Sequence, residues 1–144
     1  MEIPSASLRF DGRLSNLGSV SALIQKVCRD LSLDEVTSYH VELAVIEAVT
    51  NSMRHAFDDE IERPMHVAAS VKGENLLISV SDLGRPAELA LPLDGDRSVP
   101  RELEEGGRGL FLICSLMDHV EHRRDSGGNT LLMTKALART PGPA

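Results

Sequence analysis

Residues Val45 to Phe57 read VIEAVTNSMRHAF, and how this run is read decides the fold around it. Its apolar members, with Ala44 just before them, fall at helical spacing, so Ala44, Val45, Ala48 and Val49 make a packing stripe. Beside that stripe Glu47, Asn51 and His55 recur every four residues. A four-residue step on an α-helix turns about 40° past a full turn and rises about 6 Å, so carboxylate, amide and imidazole form one slowly rotating column. Taken alone, this is a short polar motif of the kind that arises by chance on the solvated edge of an amphipathic helix. The chemical alternative is that Asn51 offers its amide oxygen to a divalent cation while Glu47 orients or deprotonates a hydroxyl or a water. It requires the column to face a cavity.

Outward from this run, the helical pattern extends back to Leu31. Ser32 is the expected start, with Asp34 and Glu35 in the first turn, where the helix dipole favours acids. A first amphipathic helix precedes it, marked by Leu17, Val20, Leu23, Ile24, Val27 and Leu31, with Ser15 or Asn16 as its cap. ASLRF, Ala6 to Phe10, reads as a short edge strand. Downstream the period changes: MHVAASVKGENLLISVSDLG holds apolar and β-branched runs around a KGEN turn. Arg85 to Gly107 then carries three prolines and many charges, a loop long enough to be a functional lid. RGLFLICSLMDHV, Arg108 to Val120, reads as a third helix, and VEHRRDSGGNTLLMTKALA as a second hairpin turning at DSGGN. The expected fold is an α+β two-layer sandwich, a mostly antiparallel mixed sheet with helices on one face. It occupies 1–144 as a single domain, and the tail 139–144 is expected to be disordered.

Composition narrows the function classes. The chain has 144 residues, 42% hydrophobic and 26% charged, with 3% aromatics and no Trp, so the core must be aliphatic. A net charge of −7 argues against nucleic acid as a direct partner but not against a nucleotide, which backbone amides and a metal can hold. The two cysteines, Cys28 and Cys114, sit in apolar helical runs and read as buried thiols. No apolar run reaches the ~18 residues of a membrane span. No secretory leader pattern opens the chain, so a cytoplasmic setting is expected.

Two glycine stretches give the column a possible object. SDLG places Asp82 at a strand end, with Gly84 two residues on. In isolation a turn is the better reading. A carboxylate there can also accept hydrogen bonds from an amine on a planar ligand lying against the glycine backbone. GGRGL puts Gly106, Gly107 and Gly109 ahead of the third helix, either a flexible cap or an anion site built on free helix amides. It is neither the P-loop nor the strand-G-x-G-x-x-G fingerprint. Together, a metal-binding amide, an amine-reading carboxylate and a glycine-rich helix start are parts for holding a nucleoside triphosphate with Mg²⁺.

These segments, in this order, resemble the GHKL ATP-binding proteins: EAVTNSMRHA their N box, DLGRP their adenine-reading box, EGGRGLFLICSLMDHV their second glycine box. EAVTN…HA with GGRGLFLI…MD is most similar to the anti-sigma-factor serine kinases of partner-switching systems, the RsbW type. The resemblance implies the Bergerat fold, with ATP or ADP and Mg²⁺ as cofactors. It implies Glu47 as the base that activates an acceptor serine and Asn51 as the Mg²⁺ ligand. Asp82 with Gly84 would read adenine, and Gly106, Gly107, Arg108, Gly109 and Leu110 would form the lid end around the phosphates. Thr130 would line the adenine pocket, and His55 matches an ATP-site position with helix-end packing as an equal reading. Pro86 stands where many relatives carry a second glycine, which stiffens the start of the lid.

The resemblance further implies a serine/threonine kinase that sequesters a sigma factor and phosphorylates a STAS-domain anti-anti-sigma protein, acting as a homodimer. Two other functions compete. A nucleotide-gated binding module would lack kinase activity, although binding alone needs no carboxylate at Glu47. A detached histidine-kinase catalytic domain would produce acid-labile phosphohistidine.

Overall fold

The computed structural model describes residues 6–55, 63–83, 108–125 and 128–137. Its strands are β1 (Ala6–Asp11), β2 (Pro64–Lys72), β3 (Asn75–Asp82), β4 (His119–Asp125) and β5 (Gly128–Ala136). Its α-helices are α1 (Leu17–Asp30), α2 (Glu35–His55) and α3 (Arg108–Leu116), with a 3₁₀ turn over Leu14–Asn16. The sheet order is β1-β2-β3-β5-β4, and ASLRF lies on the edge as expected. Every pairing among the described residues is antiparallel, so no parallel component of the expected mixed sheet appears there.

Strand alternation explains why helices cover only one face. Met65, Val67 and Ala69 on β2, Leu76, Ile78 and Val80 on β3, and Leu131 and Met133 on β5 are all buried. The intervening residues, among them His66, Ser70, Ser79, Ser81 and Thr134, are only half-buried. Against the apolar face pack Val20, Ile24 and Cys28 from α1, Val41, Ala44, Val45, Ala48, Val49 and Met53 from α2, and Leu110 and Ile113 from α3. The core is aliphatic, as the scarcity of aromatics requires. Each fully enclosed side chain such as Ile78 (0% exposed) contributes about 1.5–3 kcal/mol.

Helix ends depart from the sequence expectations in three places. Asp34, not Ser32, caps α2: its Oδ1 accepts the Thr37 N–H at 2.6 Å, and that short bond satisfies a first-turn amide. Ser32 instead takes the left-handed conformation (φ 54°), and its N–H donates to the Arg29 carbonyl in the turn leaving α1. Asn16 occupies the cap position of α1 without a side-chain cap bond and donates its amide to the Asp11 carbonyl at 2.7 Å. The third helix ends at Leu116 rather than running to Val120. Its last carbonyl accepts from Lys135 Nζ at 2.7 Å, and the Asp118 N–H already donates to Thr134 on the sheet.

The KGEN turn closes a two-residue loop between Lys72 and Asn75, with Gly73 at φ 61°, the left-handed first position of a type II′ hairpin. The lid segment 85–107, including Pro86, and the tail 139–144 lie outside the described residues.

Candidate functional site

The polar column does face another element. A Cβ on Gly109, the second residue of α3, would lie 2.8 Å from Glu47 Oε2 and 3.0 Å from each amide atom of Asn51. The missing side chain of Gly109 leaves room for the ends of Glu47 and Asn51, and the approach places a carboxylate and an amide beside the helix's first turn. The first-turn N–H groups of a helix have no partner within the helix, and together with the positive end of the helix dipole they favour an anion. Both side chains are half-buried while their neighbours Ala48 and Val49 are sealed in the core. The Asn51 carbonyl oxygen accepts from Arg54 Nη2 at 3.1 Å, and its second lone pair can take a further partner. A carboxylate and an amide oxygen beside an anion-favouring helix start form a donor set that suits a Mg²⁺–phosphate pair.

One residue farther along α2, Ser52 faces the sheet. Its Oγ donates to Oδ2 of Asp82, the last residue of β3. Oδ1 of the same carboxylate accepts from Asn129 Nδ2 at 2.9 Å. Asp82 and Asn129 are directly paired across β3 and β5, and both are buried, at 7% and 5% exposure. The Asn129 oxygen in turn accepts from Arg124 Nη1 at 3.4 Å, which turns its NH₂ group toward the carboxylate. Close chain approach here depends on Gly128, with φ 131° and a virtual Cβ only 1.9 Å from the Asp82 carbonyl oxygen. Consecutive residues of α2, Asn51 and Ser52, thus link the α3 start to the carboxylate on β3.

Thr130 makes no hydrogen bond to Asp82. Its hydroxyl lies 3.1 Å from that of Ser81, its partner across the ladder, on the face opposite the Asp82 side chain. The two line a cavity of about 270 Å³ with Arg9 and His66, and Asp82 and Gly128 border the same cavity. The physical reason is strand alternation: the β5 residue on Asp82's face is Asn129, one position earlier. Sequence reading missed both Asn129 and Ser52. Counting alternate positions back from buried Met133 and Leu131 points to Asn129, whereas nothing in the sequence marks Ser52 beyond its place after Asn51.

Leu110 is buried (6% exposed) and joins the core rather than the polar cluster. Gly84, Gly106 and Gly107 lie outside the described residues. Arg108 opens α3 and His55 closes α2, but their side chains are likewise outside what is described.

The profile of the histidine kinase-like ATPase domain matches residues 10–135. The chain belongs to that family. Among its members, a serine-protein kinase RsbW from Halalkalibacterium halodurans is 38% identical over 105 residues, 69% of this chain and 62% of that protein. An anti-sigma F factor from Clostridium kluyveri is 32% identical over 120 residues, 83% of this chain and 81% of that protein. The chain therefore spans less than two thirds of the RsbW relative and most of the anti-sigma F relative. In the solved structure of the RsbU and RsbW domains of a Mycobacterium tuberculosis protein, the fold matches over 99% of this chain and 34% of that one. The TM-score is 0.71 at 21% identity. A histidine kinase domain from Erythrobacter litoralis matches with a TM-score of 0.55 at 19% identity, over 85% of this chain and 60% of that one. The resemblance to RsbW-type members is borne out over 69% of this chain, and the α+β ATPase fold is the family's. No helix among the described residues is long and apolar enough to cross a membrane.

Proposed function

We propose that this chain is an ATP- and Mg²⁺-dependent protein serine/threonine kinase of the anti-sigma type. It binds and inhibits a sigma factor and phosphorylates a serine or threonine on a STAS-domain anti-anti-sigma protein. The observation that carries this reading is the meeting of Glu47 and Asn51 with the start of α3 around Gly109. Nucleotide binding alone needs an anion site and a base pocket, but a carboxylate aimed at the phosphate end is what proton abstraction from an acceptor hydroxyl needs.

In this reading the acceptor oxygen forms a bond to the γ-phosphorus as the bond to the β-phosphate oxygen breaks, and ADP leaves. Glu47 takes the hydroxyl proton. The α3 amides face the phosphates, and Asp82 accepts from the adenine amine. Asn51 would hold Mg²⁺ through its amide oxygen; when bound, the ion neutralises charge on the phosphate oxygens. The name of the anti-sigma F relative supports a sigma factor as one partner class, and the name of the RsbW relative supports a protein serine as the acceptor. A cytoplasmic homodimer completes the proposal. Neither Cys28 nor Cys114 forms a disulfide, which suits a reducing compartment, and light scattering of the purified chain reads the dimer directly.

The test is transfer of labelled γ-phosphate from ATP to a cognate STAS protein. Glu47→Gln should keep nucleotide affinity and lower transfer by roughly 10²–10⁴-fold. Transfer at the wild-type rate in that variant sinks the role of Glu47. Tight antagonist binding with no transfer by the wild-type chain supports a binding module instead.

A further inference from the structure

We propose that Ser52 determines which purine base the site accepts, by fixing the orientation of the Asp82 carboxylate; this rests on the reading of Asp82 as the base-recognising group. Three observations converge. The Ser52 hydroxyl donates to Asp82 Oδ2 while Asn129 Nδ2 donates to Oδ1 at 2.9 Å, so each carboxylate oxygen is held from a different element. Asp82 is buried at 7% exposure, so its direction is set by protein groups rather than by solvent. Ser52 also follows Asn51 directly on α2, which ties the carboxylate's orientation to the helix turn facing the phosphate end.

The chemistry follows from the torsion. The χ2 angle of an aspartate is a broad, roughly two-fold rotor, so a carboxylate anchored through one oxygen can swing. Anchored through both, it presents its remaining lone pairs in one direction. An ionised carboxylate accepts and never donates. A base with an exocyclic amine at its 6-position meets it with a donor, whereas a 6-oxo base meets it with another acceptor and is rejected. Ser52 is therefore a positioning residue: it need not touch the ligand, and it sharpens the distinction between a 6-aminopurine and other purine nucleotides. Serine-to-alanine exchange inside a helix does not weaken the helix itself. The effect can thus be read without loss of the fold.

The experiment titrates the full chain with ATP, ITP and purine riboside triphosphate, which has no 6-substituent. It compares wild type, Ser52→Ala, Ser52→Thr and Asp82→Asn. Ser52→Ala should weaken ATP by ~5–30-fold while purine riboside triphosphate stays within about twofold, narrowing the ATP-to-ITP ratio. Ser52→Thr, which keeps the hydroxyl, should restore the ratio. Asp82→Asn should lose affinity for ATP selectively. If Ser52→Ala weakens all three nucleotides alike, or none, while Asp82→Asn is selective, the role of Ser52 is overturned and the reading of Asp82 stands. If Asp82→Asn is itself unselective, the reading of Asp82 falls and the proposal with it.

Discussion

Replacing Gly109 by alanine adds one carbon at the junction of α2 and α3, and the geometry says what that carbon meets. It would lie 2.8 Å from Glu47 Oε2 and 3.0 Å from both Asn51 amide atoms. Ordinary contact begins at 3.4 Å, so the carboxylate oxygen must retreat by 0.6 Å (3.4 less 2.8) and the amide by 0.4 Å (3.4 less 3.0). All three atoms are the ends of flexible side chains, so the backbone need not move. Exchange of a helical glycine for alanine also favours folding by up to about 1 kcal/mol. Stability and function should therefore part company. The denaturant midpoint should hold or rise slightly. Phosphate transfer to the antagonist should fall on the order of 10- to 100-fold, because sub-ångström displacement of reacting groups is costly. Urea unfolding and single-turnover transfer from labelled ATP, run on the same preparations, supply both numbers. Transfer within about twofold of wild type would refute the reasoning, as would a stability loss large enough to account for the activity loss.

Three further outcomes are expected. Gly128→Ala should be destabilising by roughly 3 kcal/mol or more in urea unfolding, since its Cβ would strike the Asp82 backbone carbonyl at 1.9 Å from a φ of 131°. An unchanged midpoint would mean that β5 does not approach Asp82 as described. At the start of α2, hydrogen bonds from the Thr37 side chain and backbone hold the Asp34 carboxyl below its ordinary value of 3.8. A depressed folded pKa contributes stability above the unfolded value that is lost as pH falls through the folded one. The melting difference between wild type and Asp34→Ala should thus be full at pH 6 and shrink from about pH 3.8 downward; a difference independent of pH would remove the ionised cap as its cause. Burial pushes the Cys28 thiol above its ordinary 9.0, with its hydrogen bond to Ser38 opposing and Glu42 adding to the rise. A raised folded pKa means stability that is present below pH 9.0 and lost as pH climbs past it, so Cys28→Ala should flatten the alkaline decline in the urea midpoint. A decline of equal slope in both proteins would count against it.

The legibility of the fold differed from element to element for identifiable reasons. The core stripe of α2 could be read directly, because one buried face imposes a period on the residues that fill it, and β2 and β3 showed as apolar and β-branched runs around their turn. The Lys72–Asn75 turn could be read because its left-handed position calls for glycine. Helix ends were less visible. Ser32 and Asp34 are both good cap residues, and the choice between them depended on the chain reversing after α1. The end of α3 at Leu116 was hidden because Met117 continues the apolar pattern while Asp118 is already bonded to the sheet. In the site, Glu47, Asn51 and Asp82 stood out as polar residues at telling positions. Thr130 drew attention from Asn129 because a one-residue difference in a strand reverses the face, and the sequence carries no mark of register.

By itself, the sequence determined which residue types sit in one column, VIEAVTNSMRHAF, and that the column keeps its period beside an apolar stripe. It also determined that a strand ends in Asp82 and that a helix begins among glycines. These are local properties, set by backbone period and turn chemistry between neighbours in the chain. Only the tertiary structure decided what the column faces. Gly109 meets Glu47 and Asn51, and Ser52 reaches Asp82 and shares it with Asn129. Those meetings join residues 30 and 47 positions from Asp82. They depend on strand register and helix packing, which the whole core fixes together and no short stretch encodes.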